Sequence, residues 1–335
     1  MPPTNHQIRL AARPQGLPER SDWDFTEEPV RDPGDGEVLV RVLQLSLDPA
    51  MRGWMNDARS YVPPVGIGEV MRALGIGQVV ASGDPRFAEG DHVTGILGVQ
   101  EYATVPGDGL VKFDPKLPLP VYLNAIGMPG LTAYFGLLEI GRPQPGETVL
   151  VSAAAGAVGA TVGQIAKIKG CRVVGIAGGP AKCRLLVDEF GFDAAIDYKS
   201  DDVPRAIKEH CPDRVDVYFD NVGGDILDAA LARLARGGRI PLCGAISQYN
   251  SSGGMKGPAN YMSLLVNRGT MTGFLVFDYA DRYAEAAREL AGWMAEGKLK
   301  SREQVVEGLE TFPETLLMLF RGENNGKLVL QVAAE

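Results

Sequence analysis

Residues 149–170 read VLVSAAAGAVGATVGQIAKIKG, and the fold is decided there. The preceding threonine completes the run TVLVS at 148–152, a continuous apolar segment of strand length, as expected of a strand buried on both faces. The chain then turns through small residues, and a helix is predicted from about Val158 to Lys169. Gly156 and Gly159 occupy the last two glycine positions of the dinucleotide fingerprint, with Ala154 where the first would stand. Glycine lets backbone approach a pyrophosphate, and a helix N-terminus supplies unpaired N–H groups and partial positive charge. A lone G-x-x-G also occurs in turns that bind nothing. Here strand, turn, helix and second strand follow in the order that binding requires. Gly159 and Gly163 would also let the helix pack closely on its sheet.

The same alternation continues outward. Residues 172–176 (RVVGI), 194–197, 215–220 (VDVYFD) and 238–243 (GRIPLC) are expected strands, with helices near 181–190 and 225–236. A helix at 132–140 precedes the series, and a long amphipathic helix at 281–294 closes it. Apolar strands alternating with helices predict an α/β fold, a doubly wound parallel sheet of the Rossmann kind. Residues 1–126 differ: short runs at 37–45 (EVLVRVLQL), 75–82 (GIGQVVAS), 92–97 and 102–105 lie between Gly- and Pro-rich turns and read as strands. A tail from about Leu299 holds a helix and a strand at 327–332, and is expected to return to the β-rich domain. The expected domains are thus 1–126 with 299–335, and 127–298 for the dinucleotide.

Two domains also suit 335 residues, and 45% hydrophobic with 22% charged residues is ordinary for a soluble globular protein. A net charge of -9 opposes general nucleic-acid binding. Cys171, Cys183, Cys211 and Cys243 are scattered and read as reduced thiols. The start MPPTNHQIRL has no apolar signal core and no run of membrane-spanning length occurs, so a cytoplasmic protein is expected.

The second strand of an NAD site ends in an acid that binds the ribose hydroxyls. Here it runs into Ala177-Gly178-Gly179, with Lys182 in the first turn of the next helix and Tyr198 after the following strand. Glycine leaves room for a 2′-phosphate, lysine can meet its charge and tyrosine can donate to it. NADPH is the expected cofactor. Read without it, Lys182 is a solvated helix lysine and Tyr198 a partly buried aromatic.

A β-rich domain, a dinucleotide domain and a returning tail resemble the medium-chain dehydrogenase/reductase architecture, a GroES-like catalytic domain plus a Rossmann domain. Zinc members of that superfamily carry an early cysteine and a Gly-His-Glu segment. The corresponding stretches are LSLD at 45–48 and GIGE at 66–69, where Ser46 takes the thiolate position and histidine is absent. The closely spaced cysteines of a structural zinc lobe are missing, and His6, His92 and His210 read as surface or strand residues. No metal ligand set is expected. Hydride delivery to the β-carbon of an α,β-unsaturated carbonyl then becomes the easier chemistry, because the carbonyl spreads the developing charge as an enolate. Hydrogen-bond donors and a proton source for the α-carbon suffice.

More specific segments are LDPAMRG at 47–53, GMPGLTAY at 127–134, AAGAVG at 154–159, FDNVGG at 219–224 and CGAISQYN at 243–250. Together they resemble the zinc-independent leukotriene B4 dehydrogenase, prostaglandin reductase and alkenal double-bond reductase family, above all its bacterial NADPH-dependent curcumin reductases. The resemblance implies NADPH-dependent reduction of activated carbon–carbon double bonds by a homodimer. Position by position, it implies Gly156, Ala157, Val158 and Gly159 at the pyrophosphate, and Lys182 and Tyr198 at the 2′-phosphate. Asn221, Cys243, Gly244, Ala245, Ile246, Ser247, Tyr249, Phe274, Leu275, Val276 and Asn324 would line the cofactor, with Met128 near the nicotinamide. Tyr249 is the implied catalytic donor, acting on the enolate directly or through the ribose hydroxyl; it could instead only hold the ribose. Asp48 and Arg52 are expected to form a pair supporting the pocket, with substrate contact as the other reading. Tyr61 either flanks the pocket or packs in its loop. One departure is GGPAK at 178–182, which lacks the polar side chain that relatives often place before the lysine.

Two other functions remain open from sequence: a zinc-free NADPH quinone reductase, and a non-catalytic NADPH-binding protein. Residues 270–277 (TMTGFLVF) are apolar and β-prone and are expected at a sheet edge, where pairing across a two-fold axis would make the dimer.

Overall fold

The computed structural model describes residues 3–334. Backbone contacts divide the chain into two units, one reaching Leu123 and resuming at Glu303, the other spanning Asn124–Arg302. The first unit opens with an antiparallel ribbon of β1 (Thr4–Leu10) and β2 (Trp23–Pro29), in which Leu10 faces Trp23. Then come β3 (Glu37–Ser46), α1 (Ala50–Trp54), β4 (Leu74–Ser82), β5 (His92–Ile96), β6 (Tyr102–Pro106), β7 (Leu110–Phe113) and α2 (Leu119–Tyr122).

The second unit runs α3 (Met128–Phe135), β8 (Thr148–Val151), α4 (Ala157–Ile168), β9 (Arg172–Ala177), α5 (Pro180–Arg184), β10 (Ala194–Asp197) and α6 (Val203–His210). It continues through β11 (Val215–Phe219), α7 (Gly224–Ala232), β12 (Leu234–Leu242), α8 (Met262–Asn267), β13 (Thr270–Gly273) and α9 (Tyr283–Ala295). Its six strands lie in the order β10-β9-β8-β11-β12-β13, and every pairing is parallel. Strand order reverses between β8 and β11, which opens a crevice beyond the carboxyl ends of the strands. The strands are apolar because both faces are covered: Val149, Leu150, Val151, Val173, Val174, Ile176, Val217 and Phe219 are all fully buried. α4 approaches its neighbours closely at Gly163, where a Cβ would lie 1.9 Å from the Phe192 ring.

The chain then returns to the first unit as β14 (Glu303–Glu307), α10 (Phe312–Arg321) and β15 (Lys327–Gln331). The sheet there has the order β14-β15-β3-β4-β5-β7, with β6 also paired to β3. Its core includes Val38, Val40, Val42, Leu45, Met51, Leu316 and Leu330, and the Trp23 ring meets Phe312 edge-on at 5.1 Å.

The helix expected at 225–236 stops at Ala232, and β12 begins four residues before the expected Gly238. Leu234 is fully buried and sits in register with Val215, so tertiary packing draws it into the sheet. Elements missed from sequence are short or polar. α6 buries only Ile207 and is set by its cap, Asp202 accepting from the Arg205 amide at 3.0 Å. β14 (EQVVE) is an edge strand without buried residues. No helix among the described residues is long and apolar enough to cross a membrane.

Candidate functional site

The turn after β8 builds a cradle from backbone. Ala153 takes the left-handed conformation (φ 48), one residue before the Ala154 expected from the fingerprint. Ala154 is instead fully buried, its amide bound to the Ile176 carbonyl at 3.0 Å. Gly156 caps the twelve-residue α4 with extended backbone and no side-chain hydrogen bond. The amides of Ala157, Val158 and Gly159 therefore lie outside the helical ladder, which begins with the Ala160 amide on the Gly156 carbonyl. A Cβ on Gly159 would stand 2.4 Å from the Ala153 carbonyl oxygen, so only glycine lets the helix start this close to the turn. Amide donors at an uncapped, glycine-lined N-terminus fit a pyrophosphate.

Beside it, β9 and β10 end together, with Ala177 paired to Asp197. Asp197 clamps both tips, its Oδ1 accepting from the Gly179 amide at 2.7 Å and the Lys199 amide at 3.0 Å. These donors hold its carboxyl below the ordinary value. A Cβ on Gly178 would meet the Tyr198 ring at 2.8 Å and Lys199 Cε at 3.0 Å, so those side chains cover the glycine. Lys182 stands half-buried in the first turn of α5, its pKa lowered by burial and then by the charge of Lys199.

The tips of β11 and β12 are knitted into one surface. The Cys243 and Gly244 amides donate to the Asp220 carbonyl, and the Ile246 and Ser247 amides to those of Asn221 and Val222. Asn221 turns its own amide group onto the Ser152 carbonyl at 2.7 Å. Beneath them Asp220 is completely buried, its Oδ1 accepting from the Val222 and Gly223 amides and from the Tyr218 hydroxyl at 2.8 Å. Burial still raises the Asp220 pKa, and its Oδ2 has no hydrogen-bond partner. The Cys243 thiol is pushed up to about 12 by burial and then by Asp220. A short turn over Ile246–Gln248 brings Tyr249 back on the loop, where its phenol oxygen accepts the Ala245 amide at 3.1 Å. The phenol fills the space a side chain on Gly244 would take, whose Cβ would lie 2.8 Å from the oxygen. Phe274 follows β13, edge-on to Phe219 at 6.1 Å, with Leu275 and the buried Val276 next. Met128 opens α3, and the Tyr283 hydroxyl lies 3.9 Å from its sulfur.

The remaining candidates belong to the other unit. From sequence, Asp48 is expected to pair with Arg52. In the structure Asp48 receives Lys327 Nζ at 2.7 Å and the Ser46 hydroxyl. Arg52 is buried and donates to the carbonyls of Pro14 (3.0 Å) and Gly16 (3.0 Å) and to Asn56 Oδ1 (2.6 Å). The difference arises because β15 delivers Lys327 alongside the end of β3, a neighbour that lies far along the chain. Tyr61 is half-exposed, its hydroxyl 3.4 Å from Trp54 Nε1, and Asn324 donates to the Gly326 carbonyl at 2.8 Å. Among the described residues, no three His, Cys, Asp or Glu side chains group closely enough to share a metal ion.

Sequence reasoning passed over Asp220, Ser152 and Lys199. Lys199 had a signal, since it directly follows Tyr198. Asp220 had none beyond an acid at the end of an apolar strand.

Comparison with known proteins follows the same division. Residues 6–113 match the family described as the N-terminal domain of oxidoreductase, and residues 157–292 the family described as zinc-binding dehydrogenase. The chain is 44% identical to the NADPH-dependent curcumin reductase of Escherichia coli, over 99% of this chain and 98% of that protein. It is 42% identical to the NADP(+)-dependent 2-alkenal reductase of Nicotiana tabacum, again over 99% and 98%. The crystal structure of CurA in complex with NADPH from Vibrio vulnificus superposes with a TM-score of 0.93 at 45% identity, over 98% of this chain and 100% of that one.

Proposed function

The chain belongs to the medium-chain dehydrogenase/reductase family, in its prostaglandin, alkenal and curcumin reductase branch, and on that premise we propose that it reduces the carbon–carbon double bond of α,β-unsaturated aldehydes and ketones with NADPH. One observation carries the reading. Helix amides, a lysine–tyrosine corner, Asn221 and Tyr249 all stand at the carboxyl ends of adjacent parallel strands, around the switch point of the sheet.

When bound, NADPH supplies the hydride. The amides of Ala157, Val158 and Gly159 would hold its pyrophosphate, and Lys182 and Tyr198 its 2′-phosphate. Gly156, Asn221, Cys243, Gly244, Ala245, Ile246 and Ser247 would form the floor beneath it, with Phe274, Leu275, Val276, Met128 and Asn324 as further contacts. We assign Tyr249 as the catalytic donor. A phenol has one proton and two acceptor lone pairs, and the Ala245 amide occupies a lone pair. That contact fixes the oxygen and favours donation of its proton toward charge developing on the substrate carbonyl, or toward the α-carbon. Asp48, Arg52 and Tyr61 are offered as the substrate-side residues, the first two acting through the loops they brace.

With NADPH deuterated at the transferable position, an enone should give the saturated ketone carrying deuterium on the β-carbon. Deuterium on the carbonyl carbon of an alcohol product would reject the reading.

A homodimer forms part of the proposal. β13 is the outer strand of its sheet, and Tyr261, Leu265, Val266 and Phe277 are exposed on the neighbouring segments. An open apolar edge favours pairing with a second copy. Light scattering at micromolar concentration should give twice 35.8 kDa, and a monomer mass would reject it.

A further inference from the structure

We propose that Lys199 is the second cation that reads the cofactor's 2′-phosphate, and that with Lys182 it sets the preference for NADPH over NADH. This rests on the NADPH reading above and extends it to a residue that the family resemblance does not assign.

The placement follows from register. Ala177 and Asp197 are paired, so Gly178 and Gly179 leave the sheet at the level of Tyr198 and Lys199. Asp197 Oδ1 fixes that relation by binding the amides of Gly179 and Lys199 together, and its own amide donates to Asp201 at 2.8 Å. A Cβ on Gly178 would lie 3.0 Å from Lys199 Cε and 2.9 Å from the Tyr198 hydroxyl oxygen, so both side chains lie over this glycine. Lys199 is exposed, and among the described residues its ammonium enters no hydrogen bond or ion pair. Lys182, on the next helix, is close enough for the Lys199 charge to oppose its own.

Holding two ammonium groups near one another costs free energy unless an anion lies between them. Carboxylates do stand nearby: Asp197, whose charge is spread into two amides, and Asp201, which accepts the Asp197 amide. Neither closes an ion pair with Lys199. A phosphate dianion offers oxygens to both lysines and to the Tyr198 hydroxyl at once, and a ribose with a free 2′-hydroxyl offers none of that charge. Lys199 thereby supplies a charged donor beside Gly178–Ala181, a stretch with no polar side chain of its own.

The test is calorimetric binding of 2′,5′-ADP and of 5′-ADP to the full-length protein, wild type and the exposed variants K199M and K199R. Loss of one charge-assisted contact at a partly exposed site should weaken 2′,5′-ADP about tenfold in K199M. Affinity for 5′-ADP should hold, the salt dependence of 2′,5′-ADP binding should become shallower, and K199R should restore most of the preference. If wild type prefers 2′,5′-ADP and K199M keeps that preference unchanged, the role of Lys199 is overturned while the NADPH reading stands. If wild type does not distinguish the two ligands, both are overturned.

Discussion

Lys327 Nζ lies 2.7 Å from Asp48 Oδ1 and 2.8 Å from the Leu47 carbonyl, so a lysine that is 2% exposed ties the last strand of the chain to the end of β3. Burial lowers the Lys327 pKa from 10.5, and Asp48 is the neighbour that raises it. Removing Asp48 strands a buried charge, whereas removing Lys327 frees a carboxylate that water can reach. D48N should therefore cost about 3 kcal/mol or more in urea unfolding, and K327M about 1–2 kcal/mol. Equal costs would contradict this asymmetry.

The same pair gives a pH dependence. Because the folded pKa of Lys327 is depressed, the unfolded chain holds a proton that the folded chain has released between that pKa and 10.5. Stability from this group therefore rises with pH across that window, and the penalty of burying the ammonium is present in full below it. D48N lowers the folded pKa further and widens the window downward. Its deficit against wild type should shrink as pH rises toward 10.5; a deficit independent of pH would show that Lys327 does not titrate as the pair requires.

Gly163 is a second point, after Gly159, where α4 tolerates no side chain, since a Cβ would overlap the Phe192 ring. G163A should destabilise the protein by about 1–3 kcal/mol. Truncating the ring should relieve most of that, making G163A/F192A less destabilised than the two single changes summed. Simple additivity would place the cause elsewhere.

The four cysteines are all held as thiols. Cys171, Cys183 and Cys211 are pushed up to about 11 and Cys243 to about 12, in each case first by burial. Near pH 8 the thiolate fraction is then on the order of a thousandth, and thiolate is the nucleophile. Intact-mass measurement after treatment with an enal should show the native protein unmodified while the urea-unfolded protein gains adducts. Rapid labelling of the native protein would contradict the raised thiol pKa values.

Tyr249 is separable into two roles. If it donates to the developing enolate, Y249F should lower kcat about a hundredfold, with NADPH affinity falling less than about tenfold. Loss of affinity with kcat retained would mean that the residue only holds the ribose.

Much of this was legible in sequence where apolar period and glycine spacing act locally. The β8–α4 turn, the glycines at the β9 tip and Lys182 all lie within residues 148–182, where the local pattern alone places them. Tertiary contacts decided the rest. Leu234 leaves a helical pattern for β12 because Val215 pairs with it, and Asp48 takes Lys327 over Arg52 because β15 returns beside β3. The left-handed residue is Ala153, not a glycine, so composition could not reveal where the turn bends. Lys199 follows Tyr198 in the chain, but its place over Gly178 is fixed only by the register of β9 and β10.

The most direct test is NADPH consumption with a trans-2-alkenal, a simple enone and curcumin, alongside a quinone, with NADH and EDTA as controls. Turnover on the conjugated carbonyls should give the saturated carbonyl, prefer NADPH, ignore EDTA and exceed the rate on the quinone. Tight NADPH binding with turnover only on the quinone, or with none at all, would contradict it.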